Sequence, residues 1–321
     1  SLMTVNGNTV SYDYLIVAAG MKLDWGKIEG LEGNLGKHGI CSNYSYDSVE
    51  STWQNIRGMK SGNALFTFPP PPIKCAGAPQ KIMYLAEDHF RRSGVRNQIN
   101  VRYFCAADGI FAVKKYAKVL NQICVDRDIE TNFAWNLAAV DAEARTAIFQ
   151  NMKSDETRTE PFDMLHVTPP MSAPDFIRNS PLANESGFVD VDKATTRHVR
   201  YPNIFSLGDA SSLPTSKTAA AIRAQLPVLV ENLAAAMAGR DLAASYTGYS
   251  SCPLVTGYGR LVLAEFDYDL QPMETFPFDQ GKERSSMFLL KKHILPTIYW
   301  KGLVAGKRWP AFMPEPHLDK F

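Results

Sequence analysis

The chain has 321 residues, 45% of them hydrophobic and 21% charged, enough apolar material for two folded domains and too much for a disordered tail. The 34 Lys and Arg stand against 33 Asp and Glu, and the net charge of +1 gives no overall field to attract nucleic acid or another polyanion. Five cysteines (Cys41, Cys75, Cys105, Cys124 and Cys252) are scattered with no CxxC pair, unlike a secreted disulfide framework or a metal site, and fit a reducing compartment. No run approaches the roughly 18 consecutive apolar residues of a membrane-spanning helix, and Ser1 to Thr4 lack the basic and apolar regions of a targeting segment.

Tyr14 to Ala19 is a continuous apolar run opened by Asp13 and closed by Gly20, the pattern of a strand buried on both faces in a parallel sheet. Asn63 to Phe68 reads as a second strand and runs into the prolines at 69–72. A helix is predicted over Gln80 to Arg92, with Ile82, Met83, Leu85, Ala86 and Phe90 at helical spacing, Pro79 suited to its first turn and Ser93-Gly94 at its end. Val101 to Cys105 then completes a βαβ unit of a doubly wound α/β sheet. Lys114 to Arg127 is a further helix. Phe133 to Trp135, Val140-Asp141 and Ala147 to Phe149 read as short strands, and polar Asn151 to Glu160 as an exposed loop. Met164 to Val167 is a buried strand stopped by Pro169-Pro170, and Ile204 to Leu207 is another, leading into Gly208-Asp209. Thr218 to Ala236 is an Ala-rich helix interrupted at Pro227. From about residue 246, segments such as Leu261 to Phe266 predict antiparallel hairpins. The tail from Gly281 holds eight Lys or Arg against three Asp or Glu, interleaved with Met287, Phe288, Leu289, Leu290, Ile294, Leu295, Ile298, Tyr299, Trp300 and Trp309. That mixture suits either a core helix with solvated lysines or a helix lying in a membrane interface.

Several residues invite chemistry. In Gly208-Asp209 the glycine lets backbone approach a ligand and the aspartate accepts from a sugar or ribityl hydroxyl, while the helix start near Lys217-Thr218 favours anionic oxygen. An ordinary turn has the same sequence. Cys75 lies between a strand end and a helix start, where doubly wound folds place ligands, and both Lys74 and the helix N-terminus would lower its thiol pKa. Taken alone, the residue slightly favours inert burial. The loop 69–79 holds a single glycine, Gly77, in place of GxGxxG, so this unit is not expected to bind NAD(P)H. Cys252 is placed in a loop ahead of the hairpins. Cys105 and Cys124 read as small core residues, and His166 as a core histidine.

Longer motifs are more specific. Tyr12 to Gly20 resembles the second flavin-domain motif of the flavoproteins with two dinucleotide-binding domains. Lys74 to Leu85, Met164 to Met171, Leu213 to Ala221 and Ser251 to Tyr258 resemble, in order, the eukaryotic mitochondrial type of sulfide:quinone oxidoreductase. The resemblance implies two Rossmann-like domains and a membrane-associating C-terminal segment. The flavin domain would comprise residues 1–50 and 171–245, the second domain 51–170, and the hairpin and membrane region 246–321.

The resemblance also implies FAD as cofactor, contacted by Gly20, Gly208, Asp209, Lys217, Thr218, Ala219 and Ala220, and no metal. Cys75 and Cys252 would be the redox pair, linked at rest by a disulfide or a sulfur-inserted bridge. Hydrogen sulfide would attack Cys252 and leave a persulfide, the released Cys75 thiolate would attack the flavin, and an acceptor such as glutathione or sulfite would take the outer sulfur. Ubiquinone would reoxidise the flavin from the membrane side, placing the enzyme at the mitochondrial inner membrane as a peripheral or monotopic protein. Lys217 would stabilise negative charge on the reduced ring.

Two departures qualify this. Cys41 lies in a region where some bacterial relatives carry a third active-site cysteine, whereas the eukaryotic type works with two. The family's first βαβ unit, with the GxGxxG for the FAD pyrophosphate, is expected ahead of Ser1, so the 321 residues alone are expected to hold little FAD, although the resemblance is to an enzyme. Two other readings stay open: a type II NADH:quinone dehydrogenase, disfavoured by the loop 69–79, and an FAD-free module on a membrane.

Overall fold

The computed structural model describes residues 1–306. In chain order the elements are β1 (Leu2–Met3), β2 (Thr9–Val10), β3 (Leu15–Val17), β4 (Lys22–Leu23), β5 (Ile40–Cys41), α1 (Tyr46–Gly58), β6 (Gly62–Phe68), α2 (Ala78–Arg92), β7 (Ile99–Cys105), α3 (Lys114–Asp126) and β8 (Glu130–Phe133). There follow β9 (Trp135–Asp141), β10 (Thr146–Asn151), β11 (Thr157–Pro161), β12 (Met164–His166), β13 (Met171–Ser172), α4 (Asp175–Arg178), β14 (Ile204–Ser206), α5 (Ala219–Met237), β15 (Ser250–Gly257), β16 (Arg260–Phe266), α6 (Ser285–Leu289) and α7 (Leu295–Ile298).

The fold is of the α/β class. A five-stranded parallel sheet runs in the order β5-β12-β6-β7-β8, beside an antiparallel β11-β10-β9 meander. The central strands β12 and β6 are buried on both faces, which explains runs such as Ala64, Leu65 and Phe66 without polar alternation. α2 turns Ile82, Met83, Ala86 and Phe90 into a core shared with Phe66, Tyr103, Tyr116 and, from the β15–β16 hairpin, Leu254, Val262 and Phe266. A second parallel pair, β3 and β14, aligns Leu15 with Ile204 and packs under α5. The hairpin therefore meets α2 on one side and the start of α5 on the other.

The structure corrects four expectations. Asn151 to Glu160 is not all loop: Thr157–Pro161 form β11, whose residues pair with β10 from Thr146↔Pro161 to Gln150↔Thr157. This strand is mostly exposed, so it carries no apolar alternation. Phe133 and Trp135 belong to different strands, because Ala134 adopts φ +60° between them. α5 continues through Pro227, and the backbone hydrogen bond that proline cannot donate is outweighed by burial of Ala224, Val228 and Leu229. Cys252 lies within β15 itself rather than in a loop before it.

In the tail, α6 anchors through Met287, buried with Val255, Leu261 and Leu263, and through Arg284 N–H donating to Leu261 O at 2.9 Å. Beyond it the helix passes through wider π-type turns at Leu290–Ile294 and Tyr299–Leu303. Leu289, Ile294, Tyr299, Trp300 and Val304 are exposed there, Trp300 by 68%. No helix among the described residues is long and apolar enough to cross a membrane. Trp309 lies outside the described residues.

Candidate active site

Two cysteines distant in sequence approach each other on different elements. Cys75 occupies the turn into α2 with φ +54°, a left-handed conformation that costs a residue bearing a Cβ. Two backbone hydrogen bonds hold it there: its N–H donates to Lys217 O at 2.7 Å, and its carbonyl accepts from Ala78 N–H at 2.7 Å. Cys252 stands opposite Ala264 in the hairpin and is buried against α2. Both are free thiols, and Cys252 donates a hydrogen bond to Cys75.

Gly77 makes this approach possible. A Cβ there would overlap Cys252 Sγ and come within 2.5 Å of Leu254 Cδ2, neither of which can move without disturbing the hairpin. Gly77→Ala is expected to destabilise the protein by about 1–3 kcal/mol through overpacking. The measurement is denaturant unfolding of the variant beside the wild type, and an unchanged midpoint would contradict the packing.

The electrostatics of the pair are asymmetric. The hydrogen bond from Cys252 holds the Cys75 thiol well below its ordinary pKa, with burial opposing and the Lys81 charge assisting. Lys81 Nζ donates to Cys75 Sγ at 3.2 Å, and Lys291, reaching in from the tail helix, adds a second cation. Cys252 moves the opposite way, raised by the bond to Cys75 and by burial. Burial penalises the Lys81 charge, but the sulfurs at Cys252 and Cys75 outweigh this and raise its pKa. The site thus favours one thiolate, at Cys75, beside a permanent ammonium.

Tyr44 faces the same pair. Burial and then Cys75 push its phenol well above the usual range, so its hydroxyl remains a donor. Tyr44 Oη and the neighbouring Thr168 Oγ1 are buried and have no hydrogen-bond partner beyond each other among the described residues.

A second cluster adjoins the thiols. Gly20 and Gly208 follow β3 and β14, at the carboxyl ends of parallel strands where α/β sheets bind ligands. Gly208 takes φ +68° and its N–H donates to Gln225 Oε1 at 2.8 Å, while the space above Gly20 is open, since a Cβ there would meet nothing within 4 Å. Thr218 caps α5, its Oγ1 accepting from Ala221 N–H at 3.1 Å; Ala219 and Ala220 lie in the first turn, whose N–H groups have no acceptor within the helix. Burial pushes the Lys217 ammonium down to about 8 and raises the Asp209 carboxyl, each partly offset by the other. Lys217 Nζ donates to Ser211 O at 2.6 Å and stands over the Phe188 ring.

The remaining candidates stand apart. Cys41, in β5, directs its Sγ to Leu165 O at 3.7 Å, burial pushes its thiol up to about 12, and its other partners are Thr52 and Asn55 of α1 rather than the thiol pair. Cys105 and Cys124 are buried with raised thiols. His166 is fully buried, driven down to about 3, and its Nε2 accepts from Asn43 N–H. A polar cleft of about 480 Å³, lined in part by Arg91, Arg127 and Glu283, lies at the far end of α2 from the thiols.

No family model matches the chain. It is 50% identical over 315 residues to the mouse mitochondrial sulfide:quinone oxidoreductase, covering 97% of this chain and 70% of that protein. The chain belongs to the mitochondrial sulfide:quinone oxidoreductase family. The relatives from Dictyostelium discoideum and Schizosaccharomyces pombe, at 46% and 43% identity over 96% of the chain, carry the same description. In fold, this sulfide:quinone oxidoreductase family member superimposes on the Aquifex aeolicus sulfide:quinone oxidoreductase with a TM-score of 0.79 at 17% identity, over 97% of this chain and 73% of that one. A chain in the Tetrahymena thermophila mitochondrial ATP synthase structure matches with a TM-score of 0.81 at 22% identity, over 92% and 74%.

Sequence reasoning assigns no role to Lys81, Lys291 or Tyr44. One signal was readable: Lys81 is a cation near the start of a helix, where the dipole disfavours positive charge. Such a conflict points to a partner anion. For Lys291 and Tyr44 no local signal exists, because their neighbours at the thiols come from distant elements.

Proposed function

We propose that this chain oxidises hydrogen sulfide through the Cys75–Cys252 pair and passes the electrons by way of FAD to ubiquinone. The observation that carries this reading is the asymmetric pair itself: two thiols in hydrogen-bond contact, the lower-pKa member held by Lys81 at 3.2 Å. In the oxidised, disulfide state, hydrosulfide attacks Cys252 Sγ, the S–S bond breaks, and Cys75 leaves with the bonding pair. Cys252 keeps the new persulfide. Thiol–disulfide exchange is faster when the departing thiolate is better stabilised, and the Lys81 ammonium, 3.2 Å from Cys75 Sγ, favours departure of Cys75 and sulfur carriage by Cys252. Lys81, with Lys291 behind it, neutralises the departing thiolate.

The second cluster suits a flavin: open space above Gly20, a glycine turn at Gly208, first-turn N–H groups at Ala219 and Ala220, and a buried cation at Lys217. FAD, when bound, supplies a two-electron acceptor beside the Cys75 thiolate. Asp209 would accept from the ribityl region, and Thr218 fixes the helix start. In this reading residues 1–50 with 171–245 form the flavin domain and 51–170 the domain that presents Cys75. Residues 246–321 supply Cys252 and a membrane-surface helix, whose exposed Leu289, Tyr299 and Trp300 lie beside Lys292 and Lys301. Association with the mitochondrial inner membrane and delivery of sulfane sulfur to glutathione or sulfite belong to the same proposal.

The test is anaerobic. Sulfide added to the flavin-loaded protein is expected to bleach the visible flavin band, and a ubiquinone analogue to restore it. Bleaching by NADH with sulfide inert would overturn the reading in favour of an NADH:quinone dehydrogenase.

A further inference from the structure

Beside the thiols are two buried hydroxyls with no partner but each other. Tyr44 Oη and Thr168 Oγ1 are buried and find no partner beyond each other among the described residues; His166 Nδ1 nearby is likewise unpaired, whereas other groups around them are bonded. Thr67 Oγ1, for example, donates to His166 O and accepts from Thr168 N–H at 3.0 Å. Buried polar groups are nearly always paired, and an unmade bond costs about 1–3 kcal/mol. A bond between the two hydroxyls uses only one of their two hydrogens, so the partner still missing is an acceptor. It must be small, since both oxygens are enclosed, and it may not be cationic, since Lys81 and Lys291 converge on the same sulfurs.

We propose that the Tyr44 and Thr168 hydroxyls form the receiving site for hydrosulfide, a small soft anion, and donate to it as it attacks Cys252. This rests on the sulfide-oxidising reading above. The reaction balance is unchanged: hydrosulfide contributes the electron pair of the new S–S bond, the Cys252–Cys75 bond breaks, and Cys75 leaves as the thiolate. The hydroxyls transfer no proton. They hold the incoming anion at a buried position beside the pair. Tyr44 also lies near enough to both sulfurs for their charges to act on its hydroxyl.

Tyr44→Phe keeps the ring and removes the donor. In the flavin-loaded protein, stopped-flow reduction by sulfide is expected to lose about tenfold or more in kcat/KM, mostly through a higher KM for sulfide. The flavin spectrum and the rate at which quinone reoxidises dithionite-reduced enzyme are expected to stay at wild-type values. Thr168→Val is expected to lose sulfide efficiency in the same direction, and the double variant to lose less than the product of the two, as for groups sharing one ligand. Unchanged sulfide kinetics in both variants would overturn the proposal and assign the hydroxyls to water. A shifted flavin spectrum or slowed quinone reoxidation with normal sulfide kinetics would also overturn it, assigning them to the cofactor. Absence of sulfide-dependent bleaching in the wild type would instead sink the parent reading, and this proposal with it.

Discussion

Cys252→Ala is expected to abolish sulfide-dependent quinone reduction, a loss on the order of a thousandfold or more. Without that sulfur there is no bond for hydrosulfide to attack and no atom to carry the persulfide. The side chain is small and buried against Gly77, so its truncation leaves a void of about one atom and costs roughly 1 kcal/mol of stability. The variant should therefore fold, take up flavin and be reduced normally by dithionite while remaining inert to sulfide. Cys41→Ala supplies the contrast: its thiol is buried against Leu165, Thr52 and Asn55, and the expected turnover is close to wild type. Steady-state assays with a ubiquinone analogue decide both; activity surviving in Cys252→Ala would remove that cysteine from the mechanism.

Lys81→Met has the second largest expected effect. Methionine preserves the length of the side chain and removes its charge, so Cys75 loses a hydrogen bond from an ammonium, an interaction of about 1.5–3 kcal/mol. That corresponds to roughly a ten- to hundredfold slower release of the Cys75 thiolate. The pH dependence has a definite sign. Lys81 lowers the Cys75 pKa, so its removal raises that pKa, and the acid limb of the rate profile moves to higher pH. Lys291 remains and limits the displacement. The pH dependence of Cys75 alkylation by iodoacetamide in the reduced protein reads the same shift directly. An unmoved limb would mean that the ammonium does not govern the thiolate.

The segment from β6 to β7 was legible because apolar runs, a proline at the helix start and a glycine after its end all agree with one another. α1 was not foreseen, and its buried residues say why: Ser48, Thr52 and Ile56 sit at helical spacing, but two of the three are polar, so no hydrophobic stripe marks the face. β11 was missed for a related reason, being a mostly exposed strand of Thr, Arg, Glu and Pro. At the site, spacing alone pointed to Cys75 as a strand-to-helix residue but could not pair it with Cys252. That pairing came from resemblance to longer motifs, and the structure adds the contact. Lys81 could have been suspected from its place on α2, whereas Tyr44 and Lys291 acquire meaning through tertiary neighbours that periodicity does not encode.

The start of α5 holds both sides of the thiol pair. Cys75 N–H is bonded to Lys217 O, and Thr218 Oγ1 lies 2.9 Å from Ser250 Oγ, two residues before Cys252 on the same strand. The distance between the sulfurs is thus set by one helix end acting as a jig, whether or not the sulfurs are bonded. A cross-link that is opened and closed in every cycle could not also serve as the staple of the fold. In the proposed cycle it has no need to, because the jig keeps the two halves in register while the bond between them would be the consumable reagent.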